Sequence, residues 1–255
     1  TAAIAFGGYR DVPPDTYYAN TELYDGTSWT EVNDLGTGRV GIRGSGTSTS
    51  AIGSGGDTGP AQVALSESWN GTNWTEVNDL NQARTAAGAA GADNTSSLIF
   101  GGNLASTLYG LTETWNGSNW TEVNDLNTAR SNVVGTGTAT AALAFGGLNP
   151  TSSYKTETES WNGTNWTEVS DLNTARSRMG AAGTVPAALG FGGQISTAAV
   201  SALTEEWNGT SWTETSDLGT ARMELGGRGT TSNALAFAGK ATATTAVTEE
   251  WTGAG

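Results

Sequence analysis

A unit of about 46 residues returns along the whole chain, and this repetition constrains the fold more than any other feature of the sequence. The stretch from Ser68 to Arg84 reads SWNGTNWTEVNDLNQAR, and near-identical stretches begin close to positions 114, 160 and 206. The second tryptophan of each unit falls at positions 29, 74, 120, 166 and 212. A fixed period in this range is typical of a solenoid or a propeller.

Two further markers keep the same period. An arginine follows the tryptophans of each unit, at Arg39, Arg84, Arg130, Arg176 and Arg222. A Gly-Gly pair occupies positions 7–8, 55–56, 101–102, 146–147 and 192–193, and Ala238-Gly239 takes its place in the last unit. Features that every unit shares are expected to build the unit itself.

Each unit carries four short strand signals. In the third unit they cover residues 131–137, 141–146, 156–161 and 165–170, and they are rich in Thr, Val, Trp or Phe and bounded by Gly, Asn, Asp or Pro. No stretch has an apolar stripe at helical spacing. Four antiparallel strands per unit predict an all-β propeller blade, and we expect residues 1–255 to form a single β-propeller domain.

The stretch between Trp69 and Trp74 predicts a tight hairpin. Asn70 and Gly71 are residues that tolerate positive φ, and the two tryptophans can face one another across the strand pair. We expect these aromatic pairs to pack between blades; the alternative is that they stack on sugar rings. The pairs are Trp69 and Trp74, Trp115 and Trp120, Trp161 and Trp166, and Trp207 and Trp212.

The periodic arginines also allow two interpretations. Each follows an aspartate by five residues, as in Asp79 and Arg84, so that the pairs could form a ring of charged ligands around a central funnel. We favour a structural role, in which each arginine donates to a carboxylate or to carbonyl groups at a blade junction, because its planar guanidinium suits such a fork.

These markers resemble the kelch repeat family. The Gly-Gly pair, the Glu-x-aromatic of the third strand (Glu113-Thr114-Trp115), the tryptophan that opens the fourth strand and the following arginine all match its pattern, and the resemblance covers essentially the whole chain. The chain departs from it by carrying Trp where kelch units usually carry Tyr, except at Tyr24. The consensus of these stretches, WNGTNWTEVNDLNTAR, also looks like repetitive kelch-type proteins of marine tailed phages, which implies a virion or tail-fibre component.

The number of blades follows from counting strands. The second and third strand signals occur six times, but the first and fourth occur five times. Six units would need about 276 residues, 21 more than the 255 present, and this difference equals one fourth-to-first-strand segment. We therefore predict six four-stranded, kelch-like blades, one of them incomplete or sharing a strand. The alternative is five blades, with residues 222–230 supplying the innermost strand of the closing blade.

The composition narrows the chemistry. The chain contains no Cys and no His, which excludes the commonest zinc, disulfide, thiol-nucleophile and Ser-His-Asp chemistries and the histidine-bound copper of galactose oxidase. Its net charge of −14 argues against nucleic acid, and no apolar run is long enough to span a bilayer. We expect no enzymatic activity, no catalytic residue, no metal and no cofactor. The chain begins on Thr1 without Met, so we expect a processed or excised piece.

The units differ mainly in two places, the loop between the second and third strands and the connection after the periodic arginine. Because successive strands of a four-stranded antiparallel meander alternate in direction (up-down parity), both connections emerge on the same face. We hypothesise a binding or adhesion module, extracellular or part of a virion, that recognises a cell-surface glycan or protein on this face; the alternative is a structural repeat with no ligand. The candidate ligand-binding residues are Tyr9, Arg10, Tyr17, Tyr18, Asn103, Tyr109, Tyr154, Lys155, Arg178 and Gln194.

Overall fold

In the computed structural model, which describes residues 2–10 and 16–253, every regular element is a β-strand. Strands that follow one another along the chain form six antiparallel sheets, numbered here as blades 1 to 6 in chain order. The sheets surround one central channel. The described chain is therefore a six-bladed β-propeller, as the repeat predicts.

The strands are as follows. Blade 1 contains β1 (Ala3–Phe6), β4 (Thr21–Tyr24) and β5 (Trp29–Val32), with the small hairpin β2 (Tyr9–Arg10) and β3 (Thr16–Tyr17) in its loop. Blade 2 contains β6 (Arg43–Thr47), β7 (Ser50–Ser54), β8 (Ser66–Trp69) and β9 (Trp74–Val77). Blade 3 contains β10 (Gly88–Asp93), β11 (Ser96–Phe100), β14 (Thr112–Trp115) and β15 (Trp120–Val123), with hairpin β12 (Asn103–Leu104) and β13 (Thr107–Leu108).

The second half of the ring follows the same plan. Blade 4 contains β16 (Val134–Thr138), β17 (Ala141–Phe145), β18 (Thr158–Trp161) and β19 (Trp166–Val169). Blade 5 contains β20 (Gly180–Thr184), β21 (Ala187–Phe191), β24 (Thr204–Trp207) and β25 (Trp212–Glu214), with hairpin β22 (Gln194–Ser196) and β23 (Ala199–Val200). Blade 6 contains β26 (Gly226–Thr230), β27 (Asn233–Phe237) and β28 (Thr248–Trp251).

The two terminal blades each lack one strand within the described residues. Blade 1 has no strand on the channel side of β1, and blade 6 has no strand on the rim side of β28. The five-blade alternative is wrong, because residues 226–230 pair with β27 of their own blade and not with β1. The prediction of six blades is confirmed, with the refinement that two blades, rather than one, are incomplete.

The inner strands are rich in glycine because phenylalanine rings lie against them. Phe100 is fully buried, and a Cβ added at Gly88 or at Gly135 of the next blade would overlap its ring. Phe191 has the same relation to Gly180 of its own inner strand and to Gly227 of the next. A few aromatic rings fitted against bare backbone therefore replace the large aliphatic core that this chain lacks.

The tryptophan pairs pack within and between blades, as predicted. Trp69 and Trp74 are direct cross-strand neighbours with ring centroids 5.5 Å apart, and Trp74 also contacts Phe6 of the preceding blade at 4.7 Å. The indole of the third-strand residue, such as Trp69, donates to a backbone carbonyl of the turn between the first two strands. The indole of the fourth-strand residue, such as Trp120, donates to the Ser66 hydroxyl of the blade before it.

The hairpin between the paired tryptophans differs from its prediction in one respect. Gly71 has a φ of 93°, but Asn70 does not have positive φ. The Asn70 side chain instead accepts hydrogen bonds from the backbone N–H groups of Thr72 and Asn73, at 3.0 and 2.9 Å. The asparagine is thus selected for closing the turn with its side chain, and only the glycine for its backbone conformation.

The predicted strand bounds of the third unit agree with the structure to within two residues, except at the start of the first strand. That strand begins at Val134 rather than at 131. Ser131 instead forms an isolated bridge with Leu148, and Asn132 has a φ of 51°. These residues belong to the entrance of the channel and not to the blade.

Replacing Trp120 by Ala should lower the free energy of unfolding by about 3–5 kcal/mol, because a buried indole and its inter-blade contacts are lost. Trp120 is 6% exposed and packs with Ile52, Leu80 and Ile99. The matched control is Trp251→Ala in blade 6, where the tryptophan is half-buried and has no fourth strand beside it. Denaturant unfolding should show a smaller loss for the control. Equal losses would contradict this account of the packing.

Candidate functional site

Each periodic arginine joins its blade to the next through a buried ion pair. Arg84 is 1% exposed, and its Nη2 donates to Oε1 of Glu113, on the third strand of the next blade, at 2.7 Å. Arg130 forms the same bond with Glu159 at 2.8 Å. The equivalent pairs at the other junctions are Arg39 with Glu67 and Arg176 with Glu205. Arg222 also pairs with Glu249, through Nη1, but there the glutamate is half-buried.

The arginine also binds backbone of the next blade. Nη1 of Arg130 donates to the carbonyl groups of Gly146 and Glu157, at 2.9 and 2.6 Å. Burial lowers the pKa of Arg130, and the Glu159 carboxylate opposes that shift. The guanidinium remains charged in any case. These contacts agree with the interpretation that the arginines fix the blade junctions.

The periodic aspartates have a separate task. Oδ1 of Asp79 accepts the backbone N–H of Ser66 at 3.0 Å, and Asp125 accepts that of Thr112 at 3.1 Å. The carboxylate that pairs with arginine therefore belongs to a glutamate about 30 residues later, not to the aspartate five residues before. Asp79 and Arg84 do not form a ring of charged ligands around the channel.

The variable loops meet on one face, as parity predicts. The residue after each periodic arginine forms a bridge with the residue after the Gly-Gly pair of its own blade, for example Thr85 with Asn103 and Ser177 with Gln194. These bridges bind the loop between the second and third strands to the connection that enters the first strand. We call this side of the ring the variable-loop face.

A ring of left-handed residues surrounds the channel entrance on this face. It consists of the residues two positions after each periodic arginine, Gly41, Ala86, Asn132, Arg178 and Glu224, whose φ values lie between 51° and 65°. The backbone N–H of Asn132 donates to the carbonyl of Ala86 at 2.7 Å, and that of Glu224 donates to Arg178 at 2.8 Å. This mouth ring thus fixes the backbone by blade-to-blade hydrogen bonds, while its side chains are free to differ.

The channel behind the mouth ring has a volume of about 780 Å³ and collects basic side chains. Of the eleven basic residues of the chain, five are the junction arginines. Four of the remaining six, Arg43, Arg178, Arg228 and Lys240, line the channel, together with the carboxylates of Asp57 and Glu224. Because the protein has a net charge of −14, this lining is a local exception to its overall charge.

The basic residues of the channel differ in their partners. Nη1 of Arg178 lies 3.2 Å from Oε1 of Glu224, and Nε of Arg43 donates to the Ala87 carbonyl at 2.5 Å. Burial lowers the pKa of Arg228, and no carboxylate opposes that shift. Within residues 2–10 and 16–253 the Arg228 guanidinium forms no hydrogen bond or ion pair. It is therefore the channel cation best placed to accept an anion.

The structure divides the predicted ligand-binding residues into three groups. Tyr9 and Arg178 line the channel. Gln194 is buried, so its side chain is poorly placed for a ligand. The others lie farther out on the variable-loop face, and Arg10 is the exposed one among Arg10, Tyr17, Tyr18, Asn103, Tyr109, Tyr154 and Lys155.

Several of the outer residues have structural contacts of their own. The Tyr17 ring lies 5.1 Å from that of Tyr9 and against Gly59 of blade 2. Nζ of Lys155 forms a half-buried ion pair with Glu157 at 2.9 Å. These contacts hold the side chains in position. Fixed side chains are expected both in a binding surface and in a loop that has only a structural role.

Sequence reasoning missed three channel residues, Arg43, Arg228 and Lys240. The signal that would have found the two arginines is their lack of periodicity, since Arg10, Arg43, Arg178 and Arg228 are the arginines outside the repeat. The inward direction of the first strand of each blade would then have placed Arg43 and Arg228 in the channel.

A search against models of known protein families and a search of curated protein sequences both find no match to this chain. In the described part of the chain, no three acidic side chains are arranged to hold a metal ion. The same residues contain no helix that is long and apolar enough to cross a membrane.

Replacing Arg84 by Ala should lower the free energy of unfolding by about 3–5 kcal/mol, because it leaves the Glu113 carboxylate buried without its partner. Arg84→Lys should also destabilise, since one ammonium cannot reproduce the two-nitrogen fork. The exposed Arg10→Ala is the control and should change stability by less than about 0.5 kcal/mol. Urea unfolding measures all three, and a stability of Arg84→Ala close to that of the control would refute the junction role.

Proposed function

We propose that this protein is a non-enzymatic binding module that recognises an acidic, carboxylate- or sulfate-bearing glycan of a cell surface at the channel entrance. The observation that carries the proposal is the collection of Arg43, Arg178, Arg228 and Lys240 in one concave lining of an acidic protein. Long-range repulsion from the net negative surface restricts anions to the few places where cations converge.

The architecture suits this role. The junction ion pairs and mouth-ring hydrogen bonds make a rigid frame, and the side chains that vary between blades project from it on one face. A rigid scaffold with exchangeable loops is a common way to build a recognition surface. Ligand sites are typically concave with a few convergent polar groups, and the channel entrance has this form.

The biological setting is also part of the proposal. The repeat pattern resembles kelch units, and its wording resembles repetitive proteins of tailed phages, which supports a virion or tail-fibre component that acts outside the cell. In that setting a propeller that binds an acidic surface glycan would serve attachment. This assignment rests on the sequence resemblance alone, whereas the site assignment rests on the channel.

Replacing Arg228 by Gln should weaken binding of acidic glycans about tenfold, which corresponds to about 1.4 kcal/mol, because the charge that lacks an internal partner is removed. A glycan array with matched acidic and neutral members identifies the ligand, and titration then measures its affinity. Binding should also weaken as salt concentration rises. The control is Thr164→Asp, which changes the net charge equally but lies at an exposed hairpin tip on the opposite face.

If Arg228→Gln bound acidic glycans as tightly as the unchanged protein, the channel would not be the binding site. Binding of neutral and acidic glycans with equal affinity would contradict the charge argument. Retention of binding by Thr164→Asp is required for the effect of Arg228 to be local.

An architectural role is the second candidate. It is favoured by the nearly identical Asn-Gly tips, the hairpins between the third and fourth strands of the blades, such as Asn70-Gly71. Asn33, Asn78 and Asn124 each donate to the hairpin of the next blade, at distances of 2.8 to 3.0 Å, and so give the opposite face a nearly uniform surface. Such a surface can contact identical neighbours in an assembly.

Replacing Tyr17, Tyr18 and Tyr154 together by Ser separates the two candidates. We expect weaker attachment of the protein to cells while the fold persists, since tyrosines supply large contact area at low entropic cost. Cell binding is measured by flow cytometry and folding by thermal unfolding. A partner that binds over the Asn-Gly tips, one copy per blade, would instead favour the architectural role.

A further inference from the structure

Two strand edges that are paired in the complete blades are open in this ring, and they belong to one continuous path. The rim edge of β28 in blade 6 and the channel edge of β1 in blade 1 pair with no strand among residues 2–10 and 16–253. Elsewhere the chain passes from the fourth strand of one blade to the first strand of the next along this same route. We call the two edges and Glu22 between them the acceptor groove.

The rim end of the groove contains an empty pocket for a tryptophan. Phe191, Thr204, Leu218 and Trp251 line a small cavity between blades 5 and 6. At the preceding junction the corresponding place holds Trp212, which lies 4.7 Å from Phe145 and donates to Oγ1 of Thr158 at 3.0 Å. Phe191 and Thr204 occupy the positions of Phe145 and Thr158 but have no such indole among the described residues.

The middle of the groove contains a glutamate that lacks its arginine. Glu22 occupies the position that Glu67 and Glu113 hold in the next two blades, where each is buried against an arginine. Glu22 is exposed, and its carboxylate forms no ion pair or hydrogen bond within the described residues. Residues 229–253 contain no arginine that could pair with it.

The channel end of the groove exposes apolar side chains that are buried elsewhere. Phe6 is half-buried, whereas Phe100 and Phe145 at the same strand position are fully buried beneath an inner strand. Ile4 and Ala5 also line the channel directly. An inner strand on this edge would cover these side chains and pair with their backbone groups.

We propose that the acceptor groove binds an extended polypeptide segment that carries the repeat's own pattern. The pattern is a tryptophan, an arginine ten residues later and a glycine-rich strand after it, as in residues 166–184. The tryptophan fills the rim pocket, the arginine pairs with Glu22, and the glycine-rich strand adds to β1. Binding by strand addition gains affinity from main-chain hydrogen bonds and specificity from side-chain pockets.

The groove differs from the internal junctions at residue 238. The first residue of each Gly-Gly pair lies close to the carbonyl oxygen of the following arginine, and a Cβ added at Gly55 or Gly146 would be 2.5 Å from that oxygen. Blade 6 has Ala238 there, with a φ of 57°. The arginine carbonyl of the bound segment must therefore lie farther out than at an internal junction, which weakens the complex.

The test uses the folded protein and a fluorescent synthetic peptide with the sequence of residues 162–184. We expect saturable one-to-one binding with Kd below about 100 µM, measured by anisotropy and calorimetry. Peptides with the changes Arg176→Ala or Trp166→Ala should bind at least about tenfold more weakly, because each loses one of the two anchoring side chains. A scrambled peptide should not bind.

Changes in the protein locate the peptide. Glu22→Gln should weaken binding about tenfold, whereas Glu168→Gln, the same charge change at an exposed site in blade 4, should leave it unchanged. Ala238→Gly should strengthen binding. No binding, equal binding of the scrambled peptide, or an affinity that Glu22→Gln or Ala238→Gly leaves unchanged would overturn the proposal. The peptide-side changes keep the test valid whatever the protein variants do to folding.

Discussion

The buried ion pair between a periodic arginine and a glutamate of the next blade is the interaction on which the ring depends. Burying two charges costs several kcal/mol unless the pair is well aligned and hydrogen-bonded, and in these pairs both terminal nitrogens of the arginine are engaged while Nε has no partner. Here Arg130 donates to one carboxylate oxygen of Glu159 and to two carbonyl groups, while the other oxygen accepts from the backbone and side chain of Asn127. No single unit can satisfy this arginine, so each repeat is complete only when the next one is present.

This dependence explains the composition. A chain rich in Gly, Ala, Ser and Thr lacks the apolar area for one large core, and its composition alone would suit a disordered linker. The described residues instead form small cores at successive junctions, such as the cluster of Leu98, Phe100 and Trp166. Glycine serves the close approach of rings to backbone at Gly135, and positive φ at Gly55 and Gly56. The ion pairs and hydrogen bonds between blades then fix the relative positions of the blades, which the small cores alone leave undetermined.

The sequence predicts the parts of this structure that are periodic. The spacing of tryptophans indicates blades, strand counting indicates six of them, and parity places the variable loops on one face. The identity of the arginine's partner is not predictable in this way, because Asp79 and Glu113 are both carboxylates and only the folded geometry brings Glu113 to Arg84. The role of Asn70 is missed for a similar reason, since a side-chain cap and a positive φ both favour asparagine in a turn.

The site is less predictable than the fold because it depends on departures from the repeat. A uniform ring would present the same groups six times around its axis, so that no one direction in the channel would differ from another. The cations break this symmetry, since Arg43 belongs to blade 2 and Arg228 to blade 6, the two neighbours of incomplete blade 1. Tyr24 and Ala238, where other units carry Trp and Gly, lie in blades 1 and 6. Asymmetric charge and open strand edges thus occur in the same sector, which gives the propeller one distinguishable side on which recognition can act.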